Sequence, residues 1–213
     1  MKILGITGGV GSGKSRILYE LKNEYNAYVI EADTLAHELM QPGKTIYNKI
    51  IEEFGRDILS DEEPYPIDRT KLGEIVFNDS ESLKRLNQIS HPLVKEEILR
   101  QISEKKAEGG TSLFVIEAAL LIEDGYKEIC DEIWYIWVSR EERVRRLIKQ
   151  RGYTREKCIS IFESQKPDEY YKKYANFTIN NEKSYENSSK QLKARLNKFM
   201  ENDIIIGRHT SES

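Results

Sequence analysis

The sequence predicts an α/β fold: a parallel sheet of about five strands flanked by helices. Three observations point there. Short apolar runs alternate along the chain with helical patterns. Two of those runs, residues 113–118 (LFVIEA) and 133–138 (IWYIWV), are apolar at both alternating sets of positions, as in strands covered by helices on each face. A glycine-rich turn at residues 8–13 leads from the first apolar run directly into an amphipathic helical pattern.

The elements follow in order. Residues 2–7 form a first strand and 27–30 a second, with 177–179 a weaker fifth after the two apolar runs. A helix over 15–25 places Ile17, Leu18, Leu21 and Tyr25 on one face. A second helix, 92–106, starts with Pro92 at a favourable first-turn position and stops before Gly109-Gly110. A closing helix over 184–202 carries Leu192, Leu196, Phe199 and Met200 at core spacing. Residues 34–110, mostly helical in pattern, are too long for a plain crossover and read as an inserted substrate-binding region. Residues 140–174 contain a basic helical pair hinged near Gly152 and read as a lid. That leaves 1–33, 111–139 and 175–203 as the core, and 204–213 as a tail.

Composition narrows the function. Hydrophobic residues make up 38% and charged residues 32% of the 213, an ordinary globular balance. The net charge of −3 argues against general attraction to nucleic acid or an anionic membrane. No apolar run approaches the roughly 20 residues of a membrane span. Two cysteines, Cys130 and Cys158, form neither a disulfide framework nor a CxxC pair. With the first strand beginning at the N-terminus, these features read as a cytoplasmic protein. From Arg140 to Lys157 eight basic side chains meet three acidic ones, a local excess suited to a small polyanion.

The chemistry begins at Gly8-Gly9-Val10-Gly11-Ser12-Gly13-Lys14-Ser15, a full G-x-x-x-x-G-K-[ST] match. Glycines let backbone N–H groups converge on phosphate oxygens, and the following helix points its positive end at the same place. Lys14 supplies a point charge to the terminal phosphates of ATP, and the Ser15 hydroxyl is suited to ligate Mg²⁺. This is the core of a P-loop NTPase. No Asn-Lys-x-Asp guanine-reading motif and no Leu-Ser-Gly-Gly transporter motif occurs. Glu31 and Asp33 follow the second strand, where a parallel sheet opens toward its ligand. Asp33 is assigned as the base that accepts a hydroxyl proton, and Glu31 to the water shell of the metal; the bland alternative is that Asp33 caps the next helix. Glu117, near the end of the third strand, is the candidate acid beside Mg²⁺, and Glu123 follows on the loop. Arg146 and Arg151 are the lid arginines assigned to clamp phosphates. His91, before Pro92, reads as a helix cap, with a polar substrate contact as the sharper alternative.

Together these pieces resemble the dephospho-CoA kinase family, over about residues 2–181. The loop from Gly5 to Ser15 is similar to that family's, as is the order that follows. That order runs Val29-Ile30-Glu31-Ala32-Asp33, Pro42-Gly43, Phe54-Gly55, Asp68-Arg69 with Leu72 and Val76-Phe77, His91-Pro92, Ala119-Leu120-Leu121-Ile122-Glu123 and Ile179-Asn180-Asn181. The resemblance implies a nucleotide core, a CoA-binding helical insertion and a lid. It implies transfer of the γ-phosphoryl group of ATP to the ribose 3′-hydroxyl of dephospho-CoA, the last step of CoA biosynthesis. A monomer is the expected state, with an oligomer as the alternative. Nucleotide contacts would run from Gly9 to Arg16, with Arg151 and, as an adenine contact, Asn181; substrate contacts would be Asp33, Arg69, His91 and Glu123. This chain departs from the family in Glu31 for the usual Asp, Arg16 for Thr, Ala119 for Pro, Asn176 for Asp and Lys183 for Gly. The nearest rival is another P-loop kinase acting on a nucleoside or nucleotide. A nucleotide-dependent switch fits less well, since it needs no base.

Overall fold

A computed structural model of the protein describes residues 1–207. The chain separates into two compact units, one made of Met1–Val29 with the chain from Thr111 onward, the other of Ile30–Gly110.

The first unit is built on the sheet. Strands β1 (Lys2–Thr7), β2 (Tyr28–Glu31), β3 (Leu113–Glu117), β4 (Glu132–Trp137) and β5 (Phe177–Asn180) lie in the order β2-β3-β1-β4-β5. The ladders of β1 with β3, β1 with β4 and β4 with β5 are parallel. Leu4 and Ile6 of β1 and Phe114, Val115 and Ile116 of β3 are fully buried, so both faces of the central strands are covered. Helices α1 (Lys14–Glu24) and α9 (Tyr185–Gly207) supply Ile17, Leu21, Leu192, Leu196 and Phe199 to one core with Leu4, Ile6, Val115, Trp134 and Ile136. Each such side chain contributes about 1.5–3 kcal/mol by leaving water. Trp134 meets Phe177 and Phe199 edge-on, at 5.7 and 6.0 Å. Its indole N–H donates to Glu132 at 2.6 Å, so its one polar atom is satisfied.

Register positions the site. Ile6 of β1 pairs with Glu117 and Thr7 with Tyr135, so the last residue of β3 stands beside the place where β1 runs into the glycine turn. Trp137 pairs with Asn180, which brings the turn after β5 to the same edge. Helices α6 (Arg140–Arg151), α7 (Arg155–Glu163) and α8 (Asp168–Tyr174) fill the segment between β4 and β5. Ser139 caps α6 by accepting from Glu142 N–H, and Gly152, at φ 64°, ends it in the left-handed region that glycine tolerates. Val144, Leu147, Cys158 and Phe162 pack α6 against α7.

The second unit is helical: α2 (Ala32–Leu39), α3 (Thr45–Phe54), α4 (Arg69–Asn78) and α5 (Ser80–Glu108). Helix α5 is its spine, and α2, α3 and α4 each pack on it. Here the expected helix start at Pro92 is corrected. The helix begins at Ser80, where Asp79 accepts from Glu81 and Ser82 N–H at 3.0 and 3.1 Å, and Pro92 lies in its interior. His91 therefore caps nothing. The reason is tertiary: Ser90, Val94, Ile98 and Ile102, spaced by four, form a buried stripe that runs through the proline. Packing along that stripe outweighs the lost N–H and the propensity penalty, about 3 kcal/mol at a proline.

Two smaller differences concern the second strand and the end of the chain. Asp33 lies within the first turn of α2 rather than on an extended segment, and Glu31 is the residue at the cap position, without a side-chain cap bond. Helix α9 continues past residue 202 to Gly207, the first helix-breaking residue after it, so the expected tail is shorter at its start. Positions 208–213 of that tail lie outside the described residues.

Candidate active site

The site grows from the turn between β1 and α1. Gly13 stands at the N-cap of α1 with φ 86°, a conformation that costs a non-glycine residue strain. A Cβ there would also lie 2.5 Å from Asn181 Nδ2. At Gly9 the need is close approach: a Cβ would lie 2.5 Å from the guanidinium carbon of Arg143. Ser12 N–H donates to the Gly9 carbonyl at 3.1 Å and Arg16 N–H to that of Gly13 at 3.3 Å, which closes the loop on itself. Lys14 folds back over it, its ammonium donating to the Gly8 carbonyl at 2.6 Å and lying 3.4 Å from Glu117 Oε1. Glu117 is buried at the end of β3. The Ser12 hydroxyl is buried and has no hydrogen-bond partner among the described residues, an orphaned polar atom inside the loop.

Asn181 and Arg146 meet at this loop. Asn181, on the turn after β5, donates from Nδ2 to the Ser12 carbonyl at 2.7 Å and accepts at Oδ1 from the Ser188 hydroxyl at 2.6 Å. Arg146 donates to the Asn181 carbonyl at 2.7 Å and lies 3.5 Å from the Ser12 carbonyl, while its Nε holds Glu142 at 2.8 Å. Hydrogen bonds from Arg145 and then Arg146 hold the Glu142 carboxyl far down, at about 2. Asn181 thus fastens the loop through its backbone-facing amide, whatever else it touches.

Arg16 is exposed, with its guanidinium over the Tyr185 ring, 3.6 Å from the centroid. Tyr185 donates to Glu20, which is buried and also accepts from Ser189 Oγ at 2.7 Å. Burial, then the Glu20 hydrogen bond, pushes the Tyr185 hydroxyl up to about 12. Asn176, which replaces an acid in the resemblance, keeps the acceptor that matters locally: its Oδ1 takes Ile133 N–H at 2.8 Å and pins the start of β4.

Arg151 is not brought to the loop. It is exposed, with its guanidinium 6.0 Å from the Tyr153 ring centroid. Five residues separate it from Arg146, and at 3.6 residues per turn they point ~140° apart around α6. Glu123 is exposed on the turn after β3, and its charge is a secondary cause, after burial, of the raised Tyr170 and Tyr171 hydroxyls. The helical unit holds the remaining candidates. Glu31 and Asp33 are exposed at the start of α2, Arg69 is exposed at the start of α4, and His91 is half-buried on α5, beside an open groove of about 410 Å³ that Leu83, Lys84, Gln88 and Pro92 help line. Among the described residues no cluster of three or more His, Cys, Asp or Glu could by itself hold a metal.

Sequence reasoning missed Arg143 and the Glu20–Tyr185 pair. A signal for Arg143 was present: it falls on the face of α6 that also carries Val144 and Leu147, where an exposed cation has no place. Glu20 gave a weaker one, as a carboxylate between Ile17 and Leu21 on the buried side of α1.

A parallel sheet whose first strand enters a glycine-rich loop and then a helix, with a lysine folded over the loop, defines the P-loop kinase fold. The model of one family, described as dephospho-CoA kinase, matches residues 2–187. A dephospho-CoA kinase from Carboxydothermus hydrogenoformans is 38% identical over 202 residues, covering 93% of this chain and 95% of its own. One from Aquifex aeolicus is 37% identical over 193 residues, 91% and 95% of the two chains. Among solved structures, dephospho-CoA kinase from Campylobacter jejuni superposes with a TM-score of 0.69 at 28% identity, over 95% of this chain and all of its own. A shikimate kinase from Acinetobacter baumannii, at 14% identity and a TM-score of 0.53 over 95% and 94% of the two chains, shares the fold alone. The chain belongs to the dephospho-CoA kinase family.

Proposed function

We propose that the protein transfers the γ-phosphoryl group of ATP to the ribose 3′-hydroxyl of dephospho-CoA, giving CoA and ADP in the last step of CoA biosynthesis. The observation that carries the reading is the closed loop from Gly8 to Ser15 with Lys14 folded over it, in a chain that matches the family from residue 2 to residue 187. The loop suits a triphosphate: its glycines leave room where a Cβ would intrude, and the Ser12 hydroxyl is buried without a partner among the described residues.

In this reading the loop amides from Gly9 to Arg16 bind the phosphates, Lys14 spreads charge from the transferring group, and Arg146 closes the loop from outside. Asp33 takes the proton of the attacking hydroxyl. Its support is position, in the first helical turn after the carboxyl end of β2, together with its exposure. Arg69, His91 and Glu123 are the substrate contacts, and Asn181 stands at the adenine end. The Ser15 hydroxyl and the Glu117 carboxylate are hard oxygen donors that suit Mg²⁺, with Glu31 toward its waters; two protein donors are in keeping with an ion that draws its other oxygens from phosphates and water. Mg²⁺, when bound, offsets the charge of the phosphates. No helix among the described residues is long and apolar enough to cross a membrane. In the same reading the protein acts in the cytoplasm, as a monomer.

The test is ADP release with dephospho-CoA set against a panel of nucleosides and nucleotides. Asp33→Asn should lower kcat by about 10²–10⁴-fold, the usual weight of a general base, while Mg-ATP affinity stays within about threefold. Near-normal turnover in that variant removes Asp33 from the role, and a nucleoside outpacing dephospho-CoA refutes the substrate.

A further inference from the structure

Three carbonyls of the phosphate loop are held by side chains, two of them from outside the loop. Gly8 O takes the Lys14 ammonium at 2.6 Å, Ser12 O takes Asn181 Nδ2 at 2.7 Å, and Val10 O takes Arg143 Nε at 2.8 Å. These are alternate residues, 8, 10 and 12. In a planar trans peptide the carbonyl and the next N–H point in opposite directions. A donor that fixes the Val10 carbonyl outward therefore fixes Gly11 N–H the other way. Among the described residues no protein atom accepts from Gly11 N–H.

Arg143 is itself held in place. It is buried, at 8% exposure, on the face of α6 that packs with Val144 and Leu147. Its guanidinium lies 4.0 Å from the Phe162 ring centroid, donates to the Gln165 side chain, and fills the space beside Gly9 where a Cβ would go. No carboxylate pairs with it directly among the described residues. Burial, its largest influence, pulls the guanidinium pKa down, with Tyr135 and Asp168 opposing from a distance. An unpaired buried cation is costly, and a protein retains one where its position matters or an anion joins it.

We infer that Arg143 is a positioning residue for phosphoryl transfer: by holding the Val10 carbonyl it turns Gly11 N–H toward the nucleotide phosphates. It acts through the backbone and touches neither substrate nor reacting atoms. The inference rests on the reading of the loop as a phosphate cradle, and it makes the packing of α6 a condition for that cradle's shape.

The geometry supplies its own control. The bond to Val10 comes from Nε, and a glutamine places its Nε2 at the same remove from the backbone, so Arg143→Gln keeps the donor and deletes the charge. Arg143→Met keeps the length and deletes both. Binding of pyrophosphate and of Mg-ATP by the full chain is measured calorimetrically, with dephospho-CoA binding as the control, and the Gly11 amide is followed by NMR. Arg143→Gln should bind both within about threefold of the parent, and Arg143→Met about tenfold more weakly or worse, the weight of a hydrogen bond that sets a charge-binding donor. Dephospho-CoA affinity should change by less than about twofold in either. The Gly11 resonance should shift with pyrophosphate in the parent and in Arg143→Gln and fail to shift in Arg143→Met. Unchanged affinity in Arg143→Met overturns the inference, and so does Arg143→Gln binding as weakly as Arg143→Met, which would make the charge rather than the brace the operative feature. If Arg143→Met does not fold, Arg143→Gln decides alone: a Gly11 amide displaced from its parental position, or unresponsive to pyrophosphate, overturns it. A parent protein that binds neither ligand refutes the phosphate-loop reading itself.

Discussion

Replacing Asn181 with aspartate exchanges one hydrogen-bond donor for an acceptor at nearly constant size. Asn181 Nδ2 donates to the Ser12 carbonyl at 2.7 Å, and its Oδ1 accepts from Ser188, whose hydroxyl is fully buried, at 2.6 Å. Asn181→Asp retains the second bond and loses the first. The lost bond is worth ~1 kcal/mol, and leaving the Ser12 carbonyl facing another oxygen adds ~1–2 kcal/mol. Arg146 lies 3.5 Å from the same carbonyl and offsets part of this. The net expectation is a loss of ~2 kcal/mol. Asn181→Ala, which leaves Ser12 O only the 3.5 Å contact of Arg146 and Ser188 Oγ only the Asn180 carbonyl at 3.4 Å and opens a small void, should lose ~3 kcal/mol. Urea unfolding followed by the fluorescence of Trp134 and Trp137, both on β4, reads the difference as a shift of midpoint at constant slope. Mg-ATP affinity should fall with it, because the Ser12–Gly13 peptide is no longer held. A change below ~0.5 kcal/mol in Asn181→Asp, with nucleotide affinity intact, would refute the idea that the loop is braced by side chains outside it.

Two further expectations follow from the same structure. Pro92 lies inside α5 and offers no N–H to the Gln88 carbonyl four residues earlier, so Pro92→Ala should raise stability by ~1 kcal/mol or more, read as a higher thermal midpoint; a lower midpoint would mean that the ring's packing outweighs the missing bond. Glu142 is held down to about 2 by Arg145 and Arg146, below its ordinary value. A carboxyl depressed on folding contributes stability above its unfolded pKa, near 4.5 here, and loses it as the pH falls through about 2. Glu142→Gln should therefore flatten the acid limb of the stability profile between about pH 5 and 2, by no more than ~1 kcal/mol because Arg145, its first partner, is exposed; an acid limb identical to the parent's would show that the pair contributes nothing.

The strands of the sheet were legible to within a residue or two because their signal is local. Residues 113–116 and 133–138 have no charged position to offer solvent, and only a strand covered on both faces accommodates that. The phosphate loop was legible for a similar reason, since Gly11 and Gly13, at φ 83° and 86°, answer a demand of their own backbone. Pro92 was misread because a proline's local preference and the pull of a buried stripe oppose each other, and the stripe is completed by helices distant in sequence. Charge composition located the basic helix α6 without telling which of its faces turns inward: Arg146 meets the loop and Arg151 is exposed.

The linear chain thus determined the class of fold and the strand–loop–helix that makes a phosphate cradle from short-range patterns of apolarity and glycine, while motifs spread along it carried the resemblance to the family. Tertiary structure alone decided which side chains hold that cradle in shape. Val10, Arg143 and Gln165, like Ser12, Asn181 and Ser188, meet only after β4 has been laid beside β1 and β5 beside β4. Hydrogen bonds act over about 3 Å, and contacts across more than a hundred residues are set by the packing of the sheet rather than by any local pattern.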